Sequence, residues 1–203
     1  MTVHLSWGTS SDAASGLGHY EIQQKSGPAS SAWTNVHLSA PFQHSLNVAV
    51  RIGVHTQFRV RVTDNAGNAS AWRTLAVFTP TLIALTSAGG TAFAGAWQSL
   101  ACSACLSGHV RAARAAGARA TLTASGIAFG WLTTVGPSRG SARVTSDGSL
   151  VTTVSTLGTA NLYGWLVATK AYRAGGRHTF SVAVSGTSGH SRVDLDMFIV
   201  LKS

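Results

Sequence analysis

The chain has little charge. Only 10% of its 203 residues are Asp, Glu, Lys or Arg, less than half the share in an average soluble domain. Glu occurs once, as Glu21, and Lys three times, whereas Gly occurs 22 times. This composition excludes a disordered tail and a coiled coil. Together with abundant Ser, Thr and Val it favours strands and turns over helices.

Acidic residues are the scarcest charged class, with six Asp and Glu against 15 Lys and Arg and a net charge of +9. Residues 81–203 hold ten bases and three acids, a net +7, whereas residues 1–80 hold five bases and three acids, a net +2. The bases lie singly along the chain. We therefore expect a diffuse positive field that attracts anionic surfaces, and no specific nucleic-acid partner.

Cysteine is limited to Cys102 and Cys105. A single C-x-x-C pair does not supply the four ligands of a tetrahedral zinc site. The pair lies in a Gly/Ser/Ala loop, whereas thioredoxin-like chemistry needs the motif to open a helix. We predict a local disulfide. The alternatives are two ordinary thiols and, after them, metal or thioredoxin-like chemistry.

Long apolar runs are absent. Residues 74–110 carry no formal charge, but Pro80 and the Gly89-Gly90 pair interrupt them, and no stretch of about 20 continuous apolar residues occurs. We predict no membrane span. The first seven residues lack the basic and apolar regions of a signal peptide and match a strand pattern.

Catalytic motifs are also absent. The eight His residues form no H-x-x-x-H pair, and the chain has neither a G-x-S-x-G elbow nor a P-loop. Asp194 and Asp196 are the only close acids. They share one face of a strand, whereas glycoside hydrolysis needs two facing carboxylates. We expect them to accept backbone or Arg hydrogen bonds or to hold a structural cation, and we predict no enzymatic activity, catalytic residue, metal site or cofactor.

Short runs of alternating hydrophobicity, separated by turn clusters, fill both halves of the chain. The predicted strands of the first half are 3–7, 19–23, 32–38, 42–50, 57–62 and 71–78. Those of the second half are 117–125, 127–135, 141–146, 149–155, 162–169, 177–185 and 192–201. Asp147-Gly148 predicts a tight hairpin. We predict an all-β chain of two consecutive antiparallel β-sandwiches: a domain over 1–80, a linker over 81–91 and a jelly roll over 92–203.

The first half contains Leu5-Ser6-Trp7, Gly18-His19-Tyr20-Glu21-Ile22 and the string from Phe58 to Ser70, FRVRVTDNAGNAS. These segments resemble a bacterial fibronectin type III domain over residues 1–80, with no residues for the first strand of that family. The resemblance implies a spacer domain. Either it is cut from a longer polypeptide or its sheet edge is open to another strand.

The second half contains Gly95-Ala96-Trp97, the segment Gly117–Thr123, Gly176-Arg177-His178-Thr179 and Val193-Asp194-Leu195-Asp196. These segments resemble the galactose-binding-domain-like jelly rolls that are appended to secreted glycosidases and surface proteins. The resemblance implies an extracellular module that binds a polysaccharide or another cell-surface polymer.

Aromatic residues are the candidates for a sugar site, because sugars stack their apolar faces on Trp and Tyr. Tyr163 and Trp165 fall on one face of a predicted strand. Core or interdomain packing is the first interpretation of this pair, and the alternative, a ligand platform, makes both residues candidates for the site. Trp131 and Arg143 complete the predicted site. The strand-borne Arg119, Arg143 and Arg177 are interpreted either as solvent-exposed or as contacts for an anionic sugar. In the first domain, Trp7, Tyr20 and Phe58 are predicted core residues, whereas Trp33 and Trp72 are predicted to be partly exposed.

The sequence thus predicts a non-catalytic extracellular module that binds carbohydrate or another cell-surface polymer as part of a larger secreted protein. The first alternative is a structural subunit of an extracellular filament or appendage that self-associates by completing the open sheet edge. The second is an adhesin that binds protein through its sandwich loops.

Overall fold

A computed structural model describes residues 1–203 and consists of strands joined by turns and loops. The chain divides into two compact units, Met1–Pro80 and Thr81–Lys202. Pairing is antiparallel throughout the named strands whose registers are defined. The predicted fold class, all-β with consecutive antiparallel sandwiches, is confirmed. No helix is both long and apolar enough to cross a bilayer.

The first unit contains a two-stranded and a four-stranded sheet. Its strands are β1 (Thr2–Ser6), β2 (Leu17–Ser26), β3 (Thr34–Val36), β4 (Ser45–Ala49), β5 (Thr56–Asp64) and β6 (Arg73–Thr74). The sheet orders are β1-β4 and β3-β2-β5-β6. Alternating side chains of β2 and β5 place Tyr20, Ile22 and Phe58 in the core, which confirms the prediction for Tyr20 and Phe58. Trp7, also predicted as a core residue, is only half-buried, with its ring 6.1 Å from that of Tyr20.

The outer face of the four-stranded sheet carries a ladder of stacked Trp and Arg side chains. The Arg59 guanidinium lies 4.4 Å from the Trp33 ring and 4.3 Å from the Trp72 ring. Arg61 lies 4.6 Å from the same Trp72 ring and forms an ion pair with Glu21. Each Trp is therefore half-buried beneath cations, which is why the two loop-end Trp residues are only partly exposed.

Replacing Trp72 by Ala is expected to lower the unfolding temperature of the first unit by about 5 °C or more, because it removes two cation–π contacts at once. Trp72→Phe keeps a weaker aromatic face, so its unfolding temperature should lie between those of Trp72→Ala and the wild type. Amide exchange along β5 in the full chain, followed with temperature, localises the effect. Equal exchange in all three proteins would contradict a stabilising ladder.

The second unit is built around two long strands. Its strands are β7 (Thr79–Ile83), whose first two residues belong to the first unit, β8 (Thr91–Ala94), β9 (Gln98–Ala101), β10 (His109–Ala113), β11 (Arg119–Val135), β12 (Ser141–Ser146), β13 (Ser149–Ser155), β14 (Leu162–Val184), β15 (Val193–Leu195) and β16 (Met197–Lys202). One sheet has the order β13-β12-β14-β11-β16-β7, with β8 also paired to β11, and the other has the order β15-β10-β9. The core contains large side chains from the long strands and β16, among them Phe129, Trp131, Phe180 and Phe198.

The two long strands replace four predicted ones. Residues 117–125 and 127–135 were expected as separate strands but join in β11, and 162–169 and 177–185 join in β14, with a register shift after the Gly126–Gly176 pair. A Cβ on Gly126 would come within 2.4 Å of a Val200 methyl carbon and 2.8 Å of the Leu201 carbonyl oxygen. Glycine therefore marks a close approach of β16 and not the end of a strand.

Other boundaries also differ from the prediction. The predicted linker 81–91 overlaps β7, which pairs with β16. β8, β9 and β10 lie outside the predicted strands, because these segments of four or five residues lack clear alternation, and the predicted strand 71–78 is reduced to Arg73–Thr74. The Asp147-Gly148 hairpin is confirmed, since Ser146 and Ser149 pair directly across it.

Candidate ligand-binding site

The start of β14 carries a group of exposed apolar side chains. Tyr163 is 43% exposed and Trp165 is 53% exposed, and Leu162 is exposed beside them. Leu106, from the loop between β9 and β10, is exposed as well. We call Leu106, Leu162, Tyr163 and Trp165 the apolar patch. Exposed aromatic rings next to polar groups are the usual contact surface for sugars.

Gly164 shapes this patch. Its φ of +61° lies in the left-handed region and breaks the simple alternation that the sequence predicted for Tyr163 and Trp165. The register also shifts between Thr133 and Val135 on the neighbouring strand. A Cβ at position 164 would lie 3.5 Å from Cγ of Leu106, so Leu106 packs over the glycine. The register shift marks a β-bulge at this point of the strand pair. The bulge turns consecutive side chains outward, and the loop that carries Leu106 packs against them.

The loop that carries Leu106 is closed by the Cys102–Cys105 disulfide, with 5.3 Å between the Cα atoms. The Cys105 amide donates to the Cys102 carbonyl at 3.1 Å, and the Cys102 amide donates to the Gly108 carbonyl at 2.9 Å. The Leu106 amide donates to Oδ2 of Asp196 at 3.1 Å. The disulfide loop is thus anchored at both ends beside the apolar patch.

A polar cavity of about 260 Å³ lies between the disulfide loop and the end of the sheet. Its polar lining comes from Thr134, Arg139, Arg192 and Asp194, and Tyr163 of the apolar patch also lines it. Tyr163 therefore belongs to both the aromatic surface and the polar cavity. This is the arrangement of a site in which an aromatic ring contacts a ligand and a few polar groups orient it.

Asp194 lines this cavity and is fully buried. Nε of Arg139 donates to its Oδ2 at 2.8 Å, and Nε of Arg192 donates to its Oδ1 at 2.7 Å. The prediction that the paired acids accept Arg or backbone hydrogen bonds is confirmed for both, since Asp196 accepts from the Leu106 amide. No group of three or more His, Cys, Asp or Glu side chains is placed to hold a metal ion.

Asp196 is fully buried, and its Oδ1 has no hydrogen-bond partner. Burial raises the pKa of this carboxyl above its ordinary value of 3.8. The folded state therefore holds the Asp196 proton more tightly than the unfolded chain does. As pH rises from about 4 through the folded pKa, Asp196 must ionise in its buried site and its contribution to stability falls.

Asp196→Asn removes this titration. We expect the difference in the free energy of unfolding, variant minus wild type, to increase from pH 4 to pH 8, measured by urea denaturation. Asp147→Asn is the matched control of opposite sign, because the Thr179 amide and then His178 lower the pKa of Asp147. For that variant the difference should decrease as pH rises towards about 4 from more acidic values, and it should change little from pH 4 to pH 8, because both the folded and the unfolded state have ionised Asp147 there. A pH-independent difference for Asp196→Asn would contradict the account.

A second polar cluster includes the Asp147 hairpin. Nδ1 of His178 lies 2.8 Å from Oδ2 of Asp147, and the His178 ring stacks on Tyr172 with 3.6 Å between the ring centroids. Nε2 of His178 is buried without a partner, and a Cβ on Gly176 would lie 3.1 Å from it. Backbone therefore covers Nε2, the ring nitrogen of His178 that does not contact Asp147.

The structure separates the four predicted ligand residues. Tyr163 and Trp165 are exposed together, but Trp131 is wrong as a ligand contact, because its side chain is 0% exposed within the core. Arg143 is exposed on β12 opposite Ala183, at the other end of β14 from Tyr163. Arg143 is therefore not part of the polar cavity.

Sequence reasoning missed Arg139, Arg192 and Leu106 as neighbours of Tyr163. It considered Arg119, Arg143 and Arg177, whereas Arg139 lies in the loop between β11 and β12, and Arg192, the first residue of the predicted strand 192–201, lies just before β15. The spacing of Arg192, Asp194 and Asp196 contained one usable signal, since residues two apart in extended chain are close on one face. No sequence signal places the loop after Cys105 over Gly164.

No protein-family model and no curated protein matches the chain. Similar solved structures include the CBM36-1 domain of a multidomain xylanase from the hindgut metagenome of Trinervitermes trinervoides, at 13% identity and a TM-score of 0.43, covering 60% of this chain and 96% of that one. The Agl-KA catalytic domain gives 14% identity and a TM-score of 0.41, covering 62% and 28%.

An exo-β-1,3-galactanase from Phanerochaete chrysosporium gives 19% identity and a TM-score of 0.41, covering 83% of this chain and 36% of that one. The chain thus spans only about a third of the Agl-KA and galactanase chains. At these scores and identities the similarities do not assign a function.

Proposed function

We propose that the chain is a non-catalytic module that binds carbohydrate through the apolar patch and the adjoining polar cavity. The observation that carries this proposal is the exposure of Tyr163 and Trp165 beside the cavity that contains Arg139, Arg192 and Asp194. Stacking of a sugar on the rings supplies affinity, and the guanidinium groups supply orientation. The disulfide loop fixes the wall of the cavity and so limits the entropy lost on binding.

The use of the acidic residues supports a binding role over catalysis. In the second unit, Asp194 accepts from two Arg side chains, Asp196 accepts from the Leu106 amide, and Asp147 pairs with His178. No two of these carboxyls face each other across an open cleft, as hydrolysis of a glycosidic bond requires.

The first unit supports a spacer role. Its sheet order contains the neighbours β2-β5-β6 on one side and β1-β4 on the other. This matches the C-F-G and B-E pairings of immunoglobulin-like and fibronectin type III sandwiches in the absence of strand A. We propose that this fibronectin-like unit joins the binding unit to a larger extracellular protein, where the Cys102–Cys105 disulfide is stable.

A glycan microarray tests the proposal. The full chain should bind a restricted set of immobilised glycans, and Trp165→Ala should lose that binding while keeping its fold. Trp33→Ala is the matched control, because it removes a half-buried Trp of the first unit. Binding to no glycan, or equal binding by wild type and Trp165→Ala, would contradict the proposal.

A second candidate function is self-association through β1. Its sheet partner is β4, so its other backbone edge is unpaired. A groove of about 340 Å³ adjoins it, lined by Leu5, Trp7, Phe58 and Leu75 among others. An open edge next to an apolar groove is suited to adding a strand from another copy.

Sedimentation of the full chain over a range of concentrations tests this candidate. We expect reversible dimers or larger species that disappear in His4→Pro, because Pro in β1 removes an edge amide and blocks strand addition. A strict monomer at all concentrations would contradict self-association and would leave the glycan proposal to its own test.

A further inference from the structure

The polar cavity holds more positive than negative charge. Arg139 and Arg192 share one carboxylate, that of Asp194. The side chains are well removed from solvent, at 10% exposed for Arg139, 19% for Arg192 and 0% for Asp194. Charges in such surroundings are stable only when they are paired. One guanidinium charge in the cavity therefore has no partner of opposite sign.

The hydrogen-bond pattern leaves donors for a ligand. Arg139 uses Nε on Asp194 and Nη1 on the Ser138 hydroxyl. Arg192 uses Nε and Nη2 on Asp194. Nη2 of Arg139 and Nη1 of Arg192 remain available, and both residues line the cavity. Two rigid guanidinium groups held by one carboxylate form a preorganised set of donors for a planar anion.

The neighbouring acid does not supply the missing charge. Oδ2 of Asp196 accepts a hydrogen bond from the Leu106 amide, on the loop that contributes Leu106 to the apolar patch. The cavity opens beside Tyr163, whose exposed ring belongs to the apolar patch. A ligand with an anionic group on a ring-shaped body thus meets complementary chemistry in both places.

We infer that the site selects acidic sugars, and that the carboxylate of a uronic acid residue enters the cavity and accepts hydrogen bonds from Arg139 and Arg192. The pyranose ring that carries the carboxylate stacks against Tyr163, and the next ring along the polymer reaches Trp165. This inference rests on the proposed function of the same site. It names the substrate class as uronate-containing polysaccharide.

Affinity electrophoresis tests the inference with matched polymers. The gels contain polygalacturonate, alginate or hyaluronate, each beside its carboxyl-reduced form, in which the uronates are converted to neutral hexoses. Ionic strength is held at about 0.15 M so that diffuse attraction is screened. The full chain should bind at least one acidic polymer at least about tenfold more tightly than its reduced form.

The Arg variants localise the effect. Arg192→Gln should weaken binding to the acidic polymer at least about tenfold, because it removes a charged donor from a partly buried site. Arg192→Lys keeps the charge but loses the planar set of guanidinium donors. Its affinity for the acidic polymer should therefore lie between those of Arg192→Gln and the wild type. Arg143→Gln changes the net charge equally on the exposed face of β12 and should bind as the wild type does. Circular dichroism and amide exchange of β15 establish that each variant is folded.

Three results would overturn the inference: equal affinity for acidic and reduced polymers, wild-type affinity in both Arg192 variants, or equal losses in Arg192→Gln and Arg143→Gln. If the reduced polymers still bind and Trp165→Ala abolishes that binding, the proposed function stands and only the acidic selectivity fails. If neither form of any polymer binds and the microarray is also blank, both fail.

Discussion

Asp194→Asn is expected to lower the free energy of unfolding of the second unit by about 3–5 kcal/mol, because it leaves two guanidinium groups largely buried without a counter-charge. The carboxylate accepts from both Nε atoms, and an Asn side chain retains only one acceptor oxygen. Denaturant titration of the full chain measures the loss, and amide exchange of β15 and β16 assigns it to the second unit.

Asp147→Asn is the control for this variant, because the Asp147 side chain is 47% exposed and the change removes the same charge. A much smaller loss is expected there. If Asp194→Asn is too unstable to measure, the Asp194→Asn/Arg192→Gln double variant should recover part of the lost stability. It removes one of the two cations that Asp194→Asn leaves unpaired. Equal losses at positions 147 and 194 would contradict a buried triad.

Trp131→Ala is expected to lower the free energy of unfolding by about 3–5 kcal/mol, because it empties a fully buried site of an indole. Nε1 of Trp131 has no hydrogen-bond partner, so the loss comes from packing alone. Trp131→Phe should therefore cost much less than Trp131→Ala. The same denaturant titration measures both variants.

Trp165→Ala provides the matched comparison, since Trp165 is 53% exposed and should change stability by no more than about 0.5 kcal/mol. The two Trp residues thus separate stability from binding: one variant should unfold easily, and the other should fold normally and bind nothing. A large stability loss in Trp165→Ala would indicate a packing role and contradict its assignment to the apolar patch.

Local pattern was enough to predict much of the fold. The clean alternation of Phe58, Val60 and Val62 marks β5, and Asp147-Gly148 marks the hairpin between β12 and β13. Composition alone separated strands from helices. Pattern failed where tertiary contacts decide, as at Gly126, which was interpreted as a strand boundary but permits the close approach of Val200 and Leu201.

The candidate site was predicted only in part. Tyr163 and Trp165 were named as candidates because aromatic residues on a strand are visible in the sequence, and both are exposed; the same criterion wrongly included the buried Trp131. The polar partners come from segments distant along the chain, with Arg139 in a loop and Asp194 in β15, 55 positions apart. Such pairings depend on the sheet register, which a single sequence does not specify.

The central claim is that the apolar patch binds carbohydrate, and affinity electrophoresis of the Tyr163→Ala/Trp165→Ala double variant tests it most directly. In gels containing the glycan identified by the microarray, the wild type and Trp33→Ala should both be retarded, and the folded double variant should migrate as it does without glycan. Retardation of the double variant equal to that of the wild type would contradict the account.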